Sequence, residues 1–73
     1  MYSIRVNLVT ESDICDFVNI AKTITDDVLL KDNDGHCVNA KSLLGCMYSV
    51  EFNESYVISD YPNLASKFIN YIV

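Results

Sequence analysis

The chain has 73 residues, 51% of them apolar, and carries a net charge of -5 from ten acidic against five basic residues. That length makes one domain, which buries only roughly 60% of its unfolded surface and needs every apolar position for its core; the apolar share excludes a disordered chain. The acidic balance repels phosphate backbones and anionic lipid, so no direct nucleic-acid partner and no membrane are expected.

No apolar run approaches the ~18 residues that cross a bilayer. The stretch after Met1 is broken by Arg5 and Asn7 and does not read as a leader, so a cytoplasmic protein is expected. Three cysteines fit that location, because an odd count cannot close a disulfide framework.

Tyr2, Ile4, Val6 and Leu8 alternate with polar residues and predict a half-buried strand. Thr10-Glu11-Ser12-Asp13 then offers helix-start chemistry, with Thr10 or Ser12 as the cap. Ile14, Phe17, Val18, Ala21 and Ile24 recur at helical spacing, and Asp13, Asp16, Asn19 and Lys22 fall opposite them. A second strand is expected over Thr25 to Lys31. Asp32-Asn33-Asp34-Gly35 reads as a hairpin turn, returning through His36 to Ala40.

Ser42 caps a short predicted helix, Leu43 to Tyr48. Gly45 inside it costs ~1 kcal/mol against alanine, which points to close packing there. Val50, Phe52, Tyr56 and Ile58 predict a fourth strand, bent at Asn53-Glu54. Pro62 suits the first turn of a last helix, with Leu64, Ala65, Phe68, Ile69 and Ile72 as its stripe. The fold class expected is α+β: a two-layer open-faced sandwich, a four-stranded antiparallel sheet with three helices on one face. Residues 1–73 form a single domain.

The chemistry-bearing residues are few. Asp32-x-Asp34-Gly35 is close to a calcium loop, but aligning the glycine puts Leu30 and Lys41 at the first and last ligand positions, so a turn is the better account. His36 and Cys37 are strand neighbours that point to opposite faces. A surface histidine beside a buried cysteine is expected, and no metal. Cys15 sits near a helix start, where a dipole lowers thiol pKa, yet core packing is the expectation for it, as for Cys46. With one histidine and neither a nucleophile elbow nor a glycine-rich phosphate loop, no enzyme and no cofactor are expected.

Ser42 has a richer setting. Lys41 precedes it, and Leu43, Leu44 and Met47 make an apolar patch around it. A helix N-terminus favours a phosphate through its free N–H groups and its dipole. Modification there would place charge beside a surface able to bind a partner.

Val38-Asn39-Ala40-Lys41-Ser42-Leu43-Leu44-Gly45-Cys46-Met47 resembles the regulatory-serine region of HPr, the phosphocarrier protein of the bacterial sugar phosphotransferase system. The predicted element order and the length also resemble that family, as does Asp16-Phe17-Val18-x-x-Ala21 in the first helix. The family carries phosphate on a histidine in a His-x-Arg-Pro segment at the start of that helix. Thr10 stands at the position of the histidine here, Ser12 at the arginine and Asp13 at the proline. The resemblance therefore implies a member that lacks phosphotransfer and keeps the regulatory serine. It implies Ser42 as the phosphorylated residue, Lys41, Leu43, Leu44 and Met47 as the partner-binding residues, and HPr kinase/phosphorylase and a catabolite-control transcription factor as partners. The alternatives are an interaction or self-associating module without phosphorylation, and a functional phosphocarrier with unusual chemistry.

Overall fold

A computed structural model describes residues 1–51 and 54–73, with the backbone alone at 50 and 51. Among the described residues the elements run β1 (Tyr2–Val6), α1 (Glu11–Ala21), β2 (Val28–Lys31), β3 (Cys37–Asn39), α2 (Leu43–Met47), a 3-10 turn (Tyr48–Glu51), β4 (Ser55–Ser59) and α3 (Leu64–Lys67). The strands form one antiparallel sheet in the order β1-β4-β2-β3. The three helices cover one face and the other is open, so the architecture is the α+β open-faced sandwich expected.

The core lies between sheet and helices. Ile14, Phe17, Val18 and Ala21 of α1 pack with Val6, Val28, Leu30 and Val57 of the sheet, and with Cys46, Leu64 and Phe68. The 3.6-residue period of α1 puts Ile14, Phe17, Val18 and Ala21 on one stripe, and each is buried. Phe17 and Phe68 meet with ring centroids 4.7 Å apart, tilted by 35°.

The hairpin between β2 and β3 is built around Asp32. Its carboxylate accepts from the backbone N–H of Asp34 at 3.0 Å and of His36 at 2.8 Å, and lies 2.7 Å from His36 Nδ1. Gly35 takes φ +93°, a conformation that side chains with a Cβ rarely adopt. Burial alone would raise the Asp32 carboxyl, but the bonds from His36 and Asp34 outweigh it and hold the group below its ordinary value of 3.8. A carboxyl depressed on folding stabilises the fold above its unfolded pKa. That contribution is lost as pH falls through the lower folded value. Asp32→Asn is therefore expected to lower the Tm at pH 7 and to reduce the loss of Tm on acidification below 3.8. Thermal melts of both proteins across pH 2–7 check this.

Several boundaries differ from the sequence expectation. β2 begins at Val28, not Thr25, and β1 ends at Val6, leaving Leu8 packed on the core outside the strand. Val50 belongs to the 3-10 turn and not to a strand. Phe52 and Asn53 lie outside the described residues. In β4 the inward positions are Val57 and Ser59, while Tyr56 and Ile58 face the open side. Register fixes this: Val57 pairs with Leu30 and Ile4, and Tyr56 with Lys31 and Arg5.

The last helix is one turn long. Leu64 and Phe68 are buried, but Ala65, Ile69 and Ile72 are exposed. The chain leaves the helix to lie along β1, where Ile72 bridges Val6 and the Asn7 N–H donates to the Tyr71 carbonyl at 2.8 Å. Those backbone bonds replace the helical ones.

Two cysteines were expected in the core and are not there. Cys15 lies off the buried stripe of α1, and Cys37 faces the open side opposite Lys31. Only Cys46 is buried.

Candidate functional site

Ser42 is the N-cap of α2. Its backbone is extended, and its Oγ accepts from the Gly45 N–H at 3.2 Å. A serine before an apolar run is the local signal that starts this helix. The approach to it is fixed by Asn39, whose carbonyl accepts from the Ser42 N–H at 3.0 Å and whose side-chain oxygen accepts from the Lys41 N–H at 3.0 Å. Cys46 anchors the other side of the turn. Its buried Sγ donates to the Ala40 carbonyl at 3.5 Å, and burial pushes the thiol up to about 11, so it stays protonated and unreactive at neutral pH.

The close packing expected at Gly45 is not found. A Cβ there would lie 3.4 Å from Ser42 Oγ and 3.5 Å from Val38 Cβ, ordinary van der Waals contact.

The expected patch forms on the outer side of α2. Leu44 is 72% exposed, Leu43 41% and Met47 40%. Tyr48 adds a ring that is 63% exposed and that the sequence reading had assigned to the helix but not to the patch. Lys41 and Ser42 are half-buried at its N-terminal end. Lys41 and Ser42 thus lead directly into α2, where Leu44 is mostly exposed and Leu43 and Met47 are partly so.

Thr10 is the N-cap of α1, and the start of that helix is closed. Thr10 Oγ1 accepts from the Asp13 N–H at 3.1 Å, and Asp13 Oδ2 accepts from the Thr10 N–H at 3.2 Å and the Val9 N–H at 3.1 Å. This is a reciprocal capping box with aspartate in place of glutamate. The Asp13 carboxylate holds the Val9 and Thr10 N–H groups, and with Glu11 it places two negative charges in the first turn, which repel an anion there. Tyr71 lies nearby; burial, together with Asp16 and Asp13, raises its phenol. His36 is at the hairpin, bonded to Asp32, and not at this helix start.

Both caps have measurable weight. Thr10→Ala and Ser42→Ala are each expected to cost about 1 kcal/mol, the usual value of a capping side chain. Ser42→Asp keeps an acceptor at the same place and is expected to be close to neutral. Urea unfolding of the three variants checks this ordering.

No group of three or more His, Cys, Asp or Glu side chains among the described residues is placed to hold a metal. No helix among them is long and apolar enough to cross a membrane. No protein-family model and no curated protein matches the chain. Two residues organise hydrogen bonding beyond what their sequence setting assigns them. Asp32 opens the hairpin turn, a position that signals side-chain to backbone bonding. Glu54, which accepts from Asn33 and Tyr56, has no local sequence signal because its partners are distant in the chain or on another element.

Proposed function

We propose that this chain is an HPr-like protein that does not carry phosphate on histidine and has a regulatory or adaptor role switched at Ser42. The observation that carries this is the contrast between two helix starts. At α1 the position of the family's histidine is Thr10, which caps the helix in a box with Asp13, and the first turn carries the negative charges of Glu11 and Asp13. At α2, Ser42 caps a short helix beside the exposed side chains of Leu43, Leu44 and Met47.

HPr kinase/phosphorylase is the proposed source of the phosphoryl group. A catabolite-control transcription factor is the proposed reader. A phosphoserine would keep an acceptor near the Gly45 N–H and add up to two negative charges at the patch. A cytoplasmic location belongs to the same proposal; two exposed thiols fit a reducing compartment.

The test of the lost half is direct. The protein is incubated with enzyme I and labelled phosphoenolpyruvate beside a histidine-bearing HPr. Label on HPr and none on this chain is expected. Label on this chain would establish a working phosphocarrier and overturn the reading.

A second reading is favoured by the exposed side chains of Leu43, Leu44, Met47 and Tyr48, which make an apolar surface in a small acidic domain. An interaction module that associates with itself predicts a mass that rises with concentration in sedimentation, and its loss in Leu44→Asp.

A further inference from the structure

The open face of the sheet carries two cross-strand rows. Arg5, Tyr56 and Lys31 stand in register on β1, β4 and β2, and Ser3, Ile58 and Leu29 form the other row. Beside them is a hollow of about 230 Å³ lined by Ser3, Lys31, Asp32, Asn33, Tyr56 and Ile58. Its lining joins an aliphatic side chain and an aromatic ring to a hydroxyl, an amide and an ammonium group.

Two of those lining groups already hold a carboxylate. Asn33 Nδ2 donates to Glu54 Oε2 at 2.6 Å, and the Tyr56 hydroxyl donates to the same oxygen at 2.8 Å. An Arg5 guanidinium nitrogen lies 3.6 Å from Oε1. Donors from β1, the hairpin turn and β4 thus converge on one acid. The bonds from Tyr56 and Asn33 and the charge of Arg5 hold Glu54 below its ordinary value. Glu54 nevertheless keeps a side chain 35% exposed, with an open path to solvent.

Lys31 is directly opposite Tyr56, and no ion pair engages it among the described residues. Asp32 is the remaining charge in the lining. Its carboxylate oxygens accept from the backbone N–H groups of His36 and Asp34 and lie beside the His36 ring, which offsets part of its charge.

We propose that this hollow is a binding site for a small carboxylate with a short apolar or aromatic body. The ligand's carboxylate replaces Glu54 on Asn33 and Tyr56, Lys31 supplies the attractive charge, and Ile58 and the Tyr56 ring face the apolar body. Glu54 is an internal occupant that keeps the donors satisfied in the unliganded protein. The volume is below the ~300–1,000 Å³ of sites for drug-sized molecules, which restricts the ligand to about the size of benzoate.

The test is an NMR titration with sodium benzoate, with inorganic phosphate at matched ionic strength as the second arm. Saturable shifts at Ser3, Lys31, Asn33 and Tyr56 are expected with benzoate. Glu54→Gln removes the competing charge and is expected to tighten binding about fivefold, while Lys31→Met weakens it by a similar factor. A loosened fold does not imitate the first result, because it lowers affinity. Shifts that fail to saturate, shifts spread over α1 and α2, or a Glu54→Gln variant that binds no better would overturn the proposal. Phosphate binding as tight as benzoate would overturn the assignment to carboxylates with an apolar body.

Discussion

Phe68→Ala is expected to cost about 3–5 kcal/mol, the range for deleting a fully buried phenyl ring. Scaled by length, the whole domain is stable by about 4–11 kcal/mol, so this single change removes a large share of it. The reason is local. α3 is a single turn, and Ile69, Ile72 and Val73 beyond it face water. Phe68 and Leu64 hold that segment to the core, and Phe68 meets Phe17 of α1 directly. Without the ring, the bonds from Asn7 to Tyr71 and from Val73 to Arg5 keep only the packing of Leu64 and Tyr71 behind them. Phe17→Ala is expected to cost a similar amount. The double variant should cost less than the sum, because the pair's contact of about 0.5–1.5 kcal/mol is lost in either single change. Urea unfolding of the four proteins measures this. A cost below about 1 kcal/mol for Phe68→Ala would mean that the C-terminal segment does not pack on the core.

The second large effect separates neighbours in β2. Leu30→Ala is expected to cost about 2–5 kcal/mol, because Leu30 is fully buried between Val57 and Val38. Leu29→Ala is expected to cost less than about 1 kcal/mol, because Leu29 is already 37% exposed on the open face. The same register places Val57 inward and Ile58 outward in β4. A one-residue slip would reverse every one of these positions. Equal costs for the two leucines, or a larger cost at Leu29, would contradict the register.

The sequence patterns that proved decisive were those with one strong period or one specific cap. α1 was legible because its apolar residues fall on one stripe, and Thr10 precedes them. Ser42 was legible for the same reason. β4 was not, because Tyr56-Val57-Ile58 is a continuous apolar run with no alternation. Only pairing with β1 and β2 decides which residue faces in. Cys37 follows from pairing too: Val38 lies opposite Leu30, which leaves Cys37 opposite Lys31 on the open side. The end of α3 was hidden because Ile69 and Ile72 continue a helical stripe in sequence, while the backbone bonds to β1 claim that segment.

The candidate site was legible in its residues and not in its surroundings. Lys41, Ser42, Leu43, Leu44 and Met47 fall within seven consecutive residues at and before α2, so their grouping needs no long-range information. The closure of the α1 start by Asp13 was only partly visible. The acids could be read as repelling a phosphate, but the two backbone bonds to Asp13 Oδ2 depend on helix geometry. The Glu54 cluster on the open face joins residues from three elements and has no sequence signature.

Under the function we propose, Ser42 is a phosphorylation switch of an HPr-like protein. Its most direct test is incubation with a Gram-positive HPr kinase/phosphorylase and ATP, followed by peptide mass spectrometry, with authentic HPr modified in parallel. One phosphoryl group on Ser42, absent in Ser42→Ala, is the expected result. An unmodified Ser42 beside fully modified HPr would contradict the account.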